Sequence, residues 1–232
     1  MCPCCNCGRG RARRLRAPDS ARTTTLTEEM SKPDTSGVAS GSDPIVLFHE
    51  WWETSRIGGP SRHPGAVCVS TVDEQGVPEA RIVDLKELSE RGFVFGTHLD
   101  SPKARALSAN SNVALTFWWD HIERQIRVVG RAERLSDSAA DALFATRRRD
   151  AQITSWASQQ SAPLLESTAF EQGLTDACRR FEGGDVPRPP HWGAYCVVPA
   201  RIEFLEFRES RLHIRTLFER DGTGWRRSVL QP

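Results

Sequence analysis

Alternating apolar and polar positions dominate the middle and the end of the chain. The clearest example is residues 125–135, where Ile126, Val128, Gly130 and Ala132 alternate with mostly polar neighbours. A period of two over this length predicts a β-strand. Short strand-like segments, some rich in β-branched residues and bounded by turn-forming sequences, predict further strands at residues 66–72, 81–88, 93–97, 113–119, 192–198, 201–207, 211–219 and 225–230.

Capping residues and helical spacing predict four helices. Asp43 precedes Pro44 and Ser101 precedes Pro102, which are residue types expected at the N-cap and at the first helical position. Ser136 precedes a third helix that runs to about residue 147, and apolar positions at residues 170–181 predict a fourth. Short strands with few helices indicate a mainly β fold with helical additions (α+β), organised as a barrel.

The composition is that of an ordinary globular protein. Hydrophobic residues make up 38% of the chain and charged residues 26%, and the net charge is +1. No overall field therefore favours nucleic acid or a membrane, and no apolar run approaches the roughly 18 residues of a membrane span. We expect neither partner. Cys68, Cys178 and Cys196 are scattered, which favours a reducing, cytoplasmic setting over a disulfide framework.

Residues 1–42 lack apolar periodicity and are predicted to be a disordered tail ahead of a single domain at residues 43–232. The tail opens with a C-x-C-C-x-C pattern and continues into an arginine-rich segment, which suggests a zinc site or a basic tail for nucleic acid. No second ligand pair follows the cysteines and the histidines are dispersed, so no metal is predicted. Met30 offers a more ordinary N-terminus.

Two groups of cations are candidates for ligand binding. Lys103 and Arg105 lie in the first turn of the helix predicted at Pro102, where acidic residues are usual. A phosphate bound at this helix start would explain the pattern, and so would side chains that reach into solvent. In a regular strand Arg211, His213 and Arg215 would share one face, which indicates either a bound anion or a solvated surface.

A third candidate is the strand segment at residues 81–86. Arg81 and Lys86 have opposite parity, so they would contact two different anionic groups or lie at the two solvated ends of an ordinary strand. There is no G-x-S-x-G and no H-E-x-x-H sequence, and no G-x-G-x-x-G follows a predicted strand. The sequence therefore does not support a serine hydrolase, a zinc protease or a Rossmann-type domain.

At these residues the chain resembles the pyridoxamine 5'-phosphate oxidase family, across residues 43–232. The matching segments occur in order and with family spacing. They are Arg81-Ile82-Val83-x-Leu85-Lys86, Val94-Phe95-x-Thr97, Ser101-x-Lys103, Glu123-Arg124-Gln125, Gln160-Ser161, residues 187–192, Arg201-Ile202-Glu203-Phe204 and Arg211-Leu212-His213-x-Arg215.

The resemblance implies a Greek-key, FMN-binding split β-barrel that forms a homodimer with two FMN molecules at the subunit interface. It also implies an activity: oxidation of pyridoxamine or pyridoxine 5'-phosphate, or a related ring substrate, to pyridoxal 5'-phosphate. A hydride would pass from a substrate carbon to the flavin, and O2 would reoxidise the flavin and yield H2O2. Such an enzyme belongs to pyridoxal phosphate biosynthesis.

The resemblance also implies roles for individual residues. Arg81, Thr97 and Lys103 would hold the FMN phosphate. Arg211 and His213 would be catalytic and would cover the substrate ring. The full cofactor-binding set is Arg81, Ile82, Val83, Leu85, Lys86, Thr97, Lys103, Gln125, Gln160, Ser161 and Arg215, and the substrate-binding set is Lys86, Arg147, Arg211 and His213.

Several positions depart from the family pattern. Leu143 and Ala151 stand where a Tyr and a Ser contact the substrate phosphate, and each lost donor removes about 1.5–3 kcal/mol of binding to a charged acceptor. Leu205 replaces a Trp, Gly96 an aromatic residue, Pro102 a basic residue and Ile214 an Asp. Two alternatives therefore stay open: a flavin oxidase of phenazine biosynthesis, to which residues 95–103 and the C-terminal Leu230-Gln231-Pro232 are similar, and a non-catalytic flavin-binding barrel.

Overall fold

The structure is a computed structural model that describes residues 43–57 and 63–232, so the predicted tail at residues 1–42 lies outside the described residues. The described chain contains five α-helices and nine β-strands in one antiparallel sheet. The helices are α1 (Pro44–Ile57), α2 (Pro102–Ala109), α3 (Asp137–Ala145), α4 (Arg149–Ala157) and α5 (Ser167–Arg180). The strands are β1 (Ala66–Val72), β2 (Pro78–Asp84), β3 (Glu87–Ser89), β4 (Gly92–His98), β5 (Asn112–Trp119), β6 (Arg124–Arg134), β7 (Trp192–Glu206), β8 (Ile214–Asp221) and β9 (Gly224–Leu230).

Strand β7 is the centre of the sheet. Strand β6 pairs along one edge of it, whereas β4 and β8 share the other edge. Thr97 of β4 lies opposite Gly193, near the start of β7, and Arg215 of β8 lies opposite Leu205, near its end. The predicted mainly β fold with helical additions is confirmed.

Two apolar clusters hold these elements together. In the larger, the fully buried Phe48 of α1 packs against Phe93 and Phe117 with ring centroids 4.8 and 4.9 Å apart. Buried positions alternate along β6 as the period of two predicted. The smaller cluster places Phe144 of α3 against Trp192 of β7. Burial of such rings contributes about 1.5–3 kcal/mol each.

The helix starts at Asp43, Ser101 and Ser136 are confirmed. The Asp43 carboxylate accepts a hydrogen bond from the amide of Ile45 at 2.8 Å, and both serine hydroxyls cap their helices. Helix α4, however, was not predicted. Its N-cap position is Arg148, which makes no side-chain capping bond, so the usual sequence signal is missing.

Four predicted strands were wrong in extent. The strand at residues 81–88 is divided into β2 and β3, because the amide of Leu85 bonds to the carbonyl of Gly65 instead. The strands at residues 192–198 and 201–207 are one continuous strand, β7. A bulge beside Gly130 accommodates it, because a Cβ there would lie 2.1 Å from the carbonyl oxygen of Val198. Strand β8 begins at Ile214 and not at residue 211.

None of the helices in the described part of the chain combines the length and the apolarity needed to span a bilayer.

Candidate active site

A buried lysine marks the start of α2. Lys103 is only 6% exposed, and its Nζ donates to Thr97 Oγ1 at 3.1 Å and to Gln160 Oε1 at 3.2 Å. None of the ion pairs among residues 43–57 and 63–232 includes this ammonium group. Burial lowers the pKa of Lys103, and the positive charge of Arg81 lowers it further. A buried cation without an anion is costly, so this position suits a negatively charged ligand.

Hydrogen-bond donors converge on one oxygen at this place. Gln160 Oε1 accepts from Thr97 Oγ1 at 2.9 Å, from Lys103 Nζ at 3.2 Å and from the amide of His98 at 3.4 Å. Ser101 adds a hydroxyl 3.5 Å from Lys103 Nζ and caps α2, whose first turn contains no acidic residue. The same donors and the helix start fit an oxyanion such as phosphate.

Arg81 completes what we call the cradle: Arg81, Thr97, Ser101, Lys103 and Gln160. Its guanidinium donates to Thr71 Oγ1 at 2.8 Å and pairs with Glu79 at 2.6 Å, which holds it beside β1. The remaining predicted cofactor residues of this segment differ in environment. Leu85 is buried in the core, Val83 is half-buried, Ile82 is exposed, and Lys86 is exposed and pairs with Asp84.

A cleft of about 1190 Å³ lies beside the cradle. Thr97, Gln160, Ser161 and Arg147 line it, so the fold brings four of the predicted site residues together. Lys86 is not among the lining residues.

Arg147 forms one wall of the cleft. Its guanidinium lies 5.2 Å from the Trp192 ring centroid and donates to the carbonyl of Ala151 at 3.2 Å and to Ser155 Oγ at 3.4 Å. Its Nε is buried without a partner among the described residues, and burial lowers the pKa of Arg147. The guanidinium of Arg147 can therefore bind an anionic group other than the one that suits the cradle.

Sequence reasoning missed two features of this wall. Gly96 lies against Trp192, since a Cβ there would be 2.2 Å from the indole Cζ2. His98 is 6% exposed, and its ring centroid is 4.9 Å from that of His191. Burial, together with His191, lowers the pKa of His98 to about 4, and Arg147 and Lys103 add to this against the opposing effect of Asp100. Isolated histidines carry no periodic signal that would have identified the pair.

A second polar group lies at the other end of β7. Glu203 is 7% exposed and accepts from Arg215 Nε at 2.9 Å and Nη2 at 2.7 Å, while Arg127 contacts its other oxygen at 3.2 Å. Gln125 of β6 lies opposite Leu205 of β7. The importance of Glu203 was not predicted, although it falls within a segment that resembles the family.

The expectation that Arg211, His213 and Arg215 share one strand face is wrong. Arg211 and His213 lie in the loop at residues 207–213, where Arg211 has a left-handed φ of 67°. The His213 ring lies 4.8 Å from Phe207, and its Nδ1 accepts a hydrogen bond from the amide of Arg208 at 3.1 Å. Only Arg215 belongs to β8.

The two polar groups occupy opposite parts of the strand. Thr97 is paired with Gly193 and Arg215 with Leu205, twelve residues further along β7. At roughly 3.3 Å per residue, this corresponds to roughly 40 Å of strand. Within one chain, the cradle is therefore far along the strand from Arg215.

Comparison with known proteins agrees with this geometry. Residues 61–176 match the family described as pyridoxamine 5'-phosphate oxidase, and a protein of Rubrobacter xylanophilus named pyridoxine/pyridoxamine 5'-phosphate oxidase is 45% identical over 93% of this chain and 100% of its own length. The chain belongs to the pyridoxamine 5'-phosphate oxidase family. Its relative in Azorhizobium caulinodans carries the same name and is 44% identical, covering 88% of this chain and 97% of that protein.

Residues 192–232 match the C-terminal dimerisation region of this family. Among solved structures, PhzG from Burkholderia lata 383 in complex with tetrahydrophenazine-1-carboxylic acid has a TM-score of 0.78 and 31% identity, covering 82% of this chain and 93% of that one. A pyridoxamine 5'-phosphate oxidase-related, FMN-binding protein from Nostoc punctiforme, at 18% identity, has a TM-score of 0.67 over 84% of this chain and 100% of that one, which shows the shared fold.

Proposed function

We propose that the chain is an FMN-dependent oxidase that converts pyridoxamine or pyridoxine 5'-phosphate to pyridoxal 5'-phosphate, with O2 as electron acceptor and H2O2 as product. The observation that carries the proposal is the buried Lys103, whose ammonium group donates to Thr97 Oγ1 and Gln160 Oε1 and has no carboxylate partner among the described residues. The names of the relatives from Rubrobacter and Azorhizobium support the reaction.

The cradle fits the phosphate of FMN by its chemistry. Lys103 and Arg81 supply positive charge, and Thr97, Ser101 and the first turn of α2 supply donors to phosphate oxygens. When bound, FMN supplies the hydride acceptor that O2 reoxidises. The protein binds and orients both molecules, so no nucleophilic side chain is required.

The distance along β7 between the cradle and Arg215 supports a homodimer. Gln125 and Arg215 are the other predicted cofactor contacts, and they lie at the end of β7 far from the cradle. A cofactor held by both groups would lie between the cradle of one copy and the Arg215 end of another. The match of residues 192–232 to a dimerisation region supports the same arrangement.

Arg147 is the strongest candidate for the substrate phosphate. It lines the cleft, and its Nε has no partner among the described residues. Arg211 and His213 would approach the substrate ring from the loop at residues 207–213. Lys86 pairs with Asp84 and does not line the cleft, so its side chain would have to turn towards the cleft to contact the phosphate.

Oxidation of a reduced tricyclic acid is the second candidate function. Two observations favour it: Leu143 is buried in the smaller core, and Ala151 lines the cleft with no hydroxyl to offer. Arg147 would then bind a carboxylate in place of a phosphate. The similarity to PhzG, which was solved with a tricyclic carboxylic acid, supports this alternative.

Anaerobic mixing distinguishes the candidates. FMN-loaded protein is mixed with pyridoxamine 5'-phosphate, pyridoxine 5'-phosphate or a reduced phenazine precursor, and flavin absorbance is recorded. Bleaching by the two vitamin B6 phosphates is the expected result. Bleaching by the phenazine precursor alone would favour the second candidate, and bleaching by none would favour a non-catalytic flavin-binding protein. A protein that takes up no FMN would contradict the proposal.

A further inference from the structure

A largely buried arginine joins the start of β7 to α3. Arg188 lies in the segment before β7, and its side chain is only 9% exposed. Its Nε donates to Asp141 at 2.5 Å and its Nη2 to Asp137 at 3.1 Å, two carboxylates one turn apart on α3. Its Nη1 donates to the carbonyl of Trp192 at 2.6 Å. One planar guanidinium therefore fixes the helix relative to the first residue of the strand.

The backbone around Arg188 is restrained as well. Pro187, Pro189 and Pro190 surround it, and each proline ring fixes its own φ. The carbonyl of Pro187 accepts a hydrogen bond from the indole Nε1 of Trp156 in α4 at 2.8 Å. The side chain of Arg188 therefore extends from a segment that has little freedom to move.

Two paths lead from Arg188 to Arg147. Helix α3 ends at Ala145, and the amide of Arg147 donates to the carbonyl of Phe144 at 3.1 Å, so a shift of α3 would carry Arg147 with it. The Arg147 guanidinium lies 5.7 Å from the Phe144 ring centroid and 5.2 Å from that of Trp192. Both rings that hold this guanidinium in the cleft wall thus belong to parts of the chain that Arg188 joins.

We propose that Arg188 is a positioning residue for recognition of the anionic group of the substrate, and that it acts through α3 and Trp192 on the place of Arg147 in the cleft. The inference rests on the proposed function and extends it to a residue that does not line the cleft. Because the contacts of Arg188 converge on Arg147 and not on Lys103, its loss should affect the substrate phosphate more than FMN.

Two ligands that differ only in a phosphate group separate this role from a general role in folding. Binding of pyridoxal 5'-phosphate and of pyridoxal to the FMN-loaded protein is followed by the change in flavin absorbance. We expect Arg188→Met to weaken binding of pyridoxal 5'-phosphate roughly tenfold and to leave the Kd of pyridoxal unchanged, since a displaced guanidinium loses much of a charged hydrogen bond. Arg188→Lys keeps the charge and should lose less. Equal weakening of both ligands would overturn the inference.

A double-mutant cycle tests the path through Arg147. In an Arg147→Met background the guanidinium that Arg188 positions is gone, so Arg188→Met should cause no further loss of affinity for pyridoxal 5'-phosphate. Losses that add in full would show that Arg188 acts independently of Arg147, and would refute the positioning role.

Arg134 provides the matched control. It also pairs with Asp137, at 3.7 Å, but its side chain is 53% exposed. Arg134→Met should therefore leave the affinity for both ligands unchanged. A loss of phosphate binding in this variant equal to that in Arg188→Met would mean that the charge balance around α3, and not the contacts of Arg188, is what matters.

Asp141→Asn approaches the same contact from the surface. The Asp141 side chain is 60% exposed, so this variant tests the inference even if Arg188→Met does not fold. It should weaken pyridoxal 5'-phosphate selectively, to a smaller extent than Arg188→Met, and a folded variant without selective loss would contradict the inference. Failure of the wild type to bind FMN or to prefer the phosphorylated ligand would instead refute the proposed function, on which the inference depends.

Discussion

The ammonium group of Lys103 is the side-chain feature on which the cofactor assignment depends. A charge buried among hydroxyl and amide groups destabilises the fold unless an anion joins it, whereas an apolar residue of similar length would not. We expect Lys103→Met to weaken FMN binding by roughly one hundredfold, since it removes a charged hydrogen bond of about 1.5–3 kcal/mol. Without FMN, the Lys103→Met variant should be as stable as the wild type, or more stable, towards unfolding by urea.

Arg105 provides the matched control. It lies on the same helix but is exposed, and among the described residues its side chain donates a hydrogen bond only to the carbonyl of Asp100. Arg105→Ala should leave FMN affinity within a few-fold of the wild type, as measured by quenching of flavin fluorescence. If both variants lost affinity equally, general positive charge and not the cradle would hold the cofactor.

His98 predicts a pH dependence of stability. Its pKa is about 4 in the folded protein against an ordinary value of 6.5, and the groups facing it are His191, Asp100, Arg147 and Lys103. The unfolded chain binds a proton at this histidine more tightly than the folded protein does. The stability that the folded protein gains from a neutral His98 is therefore complete above pH 6.5 and is lost as the pH falls towards 4. Across this pH window, the free energy of unfolding in urea should change by about 1–3 kcal/mol less in His98→Asn than in the wild type. An unchanged slope would show that His98 titrates normally.

Between elements, β4 packs tightly against the start of β7 in the site. The Trp192 indole occupies the space that a side chain at position 96 would need. Gly96→Ala should displace Trp192, and with it Arg147, at a cost of about 1–3 kcal/mol.

Gly184→Ala is the control for that substitution, because nothing lies within 4 Å of a Cβ at this position. We expect the Gly96 variant to show a lower urea midpoint and a higher KM for the phosphorylated substrate, and the Gly184 variant to show neither. Equal midpoints would mean that the indole moves aside freely.

The sequence predicts those helices and strands whose cause lies in neighbouring residues, and it does not predict features that depend on distant parts of the chain. The period of two located β6, β-branched residues and a turn signal located β1, and capping residues located the starts of α1, α2 and α3, because these signals arise from neighbouring residues. The single strand β7 was divided at Pro199, since its continuity depends on Gly130 in the adjacent strand. Helix α4 has no side-chain cap at Arg148, so the capping signal that marks the starts of α1, α2 and α3 is missing there.

The site shows the same difference between local signals and contacts that only the fold creates. The misplaced Lys103 in a helix start was recognisable from the sequence, because the conflict with the helix dipole is local. The strand assumed at residues 211–213 was wrong, because the Phe207 contact and the Arg208 amide hold His213 in a loop. The His98–His191 pair and the Glu203–Arg215 ion pair join residues distant in sequence or out of periodic register, so only the fold reveals them.

For the molecule as a whole, the proposed function requires two copies of the chain to build one site. The cradle and Arg215 lie roughly 40 Å apart along β7, at roughly 3.3 Å per residue. A dimer with two-fold symmetry contains two such sites, each with the cradle of one copy and the Arg215 of the other.

Mixed dimers test this arrangement most directly. Lys103→Met and Arg215→Ala, each expected to be inactive at an FMN concentration that saturates only the wild type, are unfolded together and refolded at that FMN concentration, and oxidation of pyridoxamine 5'-phosphate is measured. A mixed dimer would contain one site with both defects and one site with none, so about one quarter of wild-type activity should return. Flavin binding should return in the same proportion. No recovery in a mixture shown to contain mixed dimers would mean that each chain builds its own site, and would contradict a site shared between two copies.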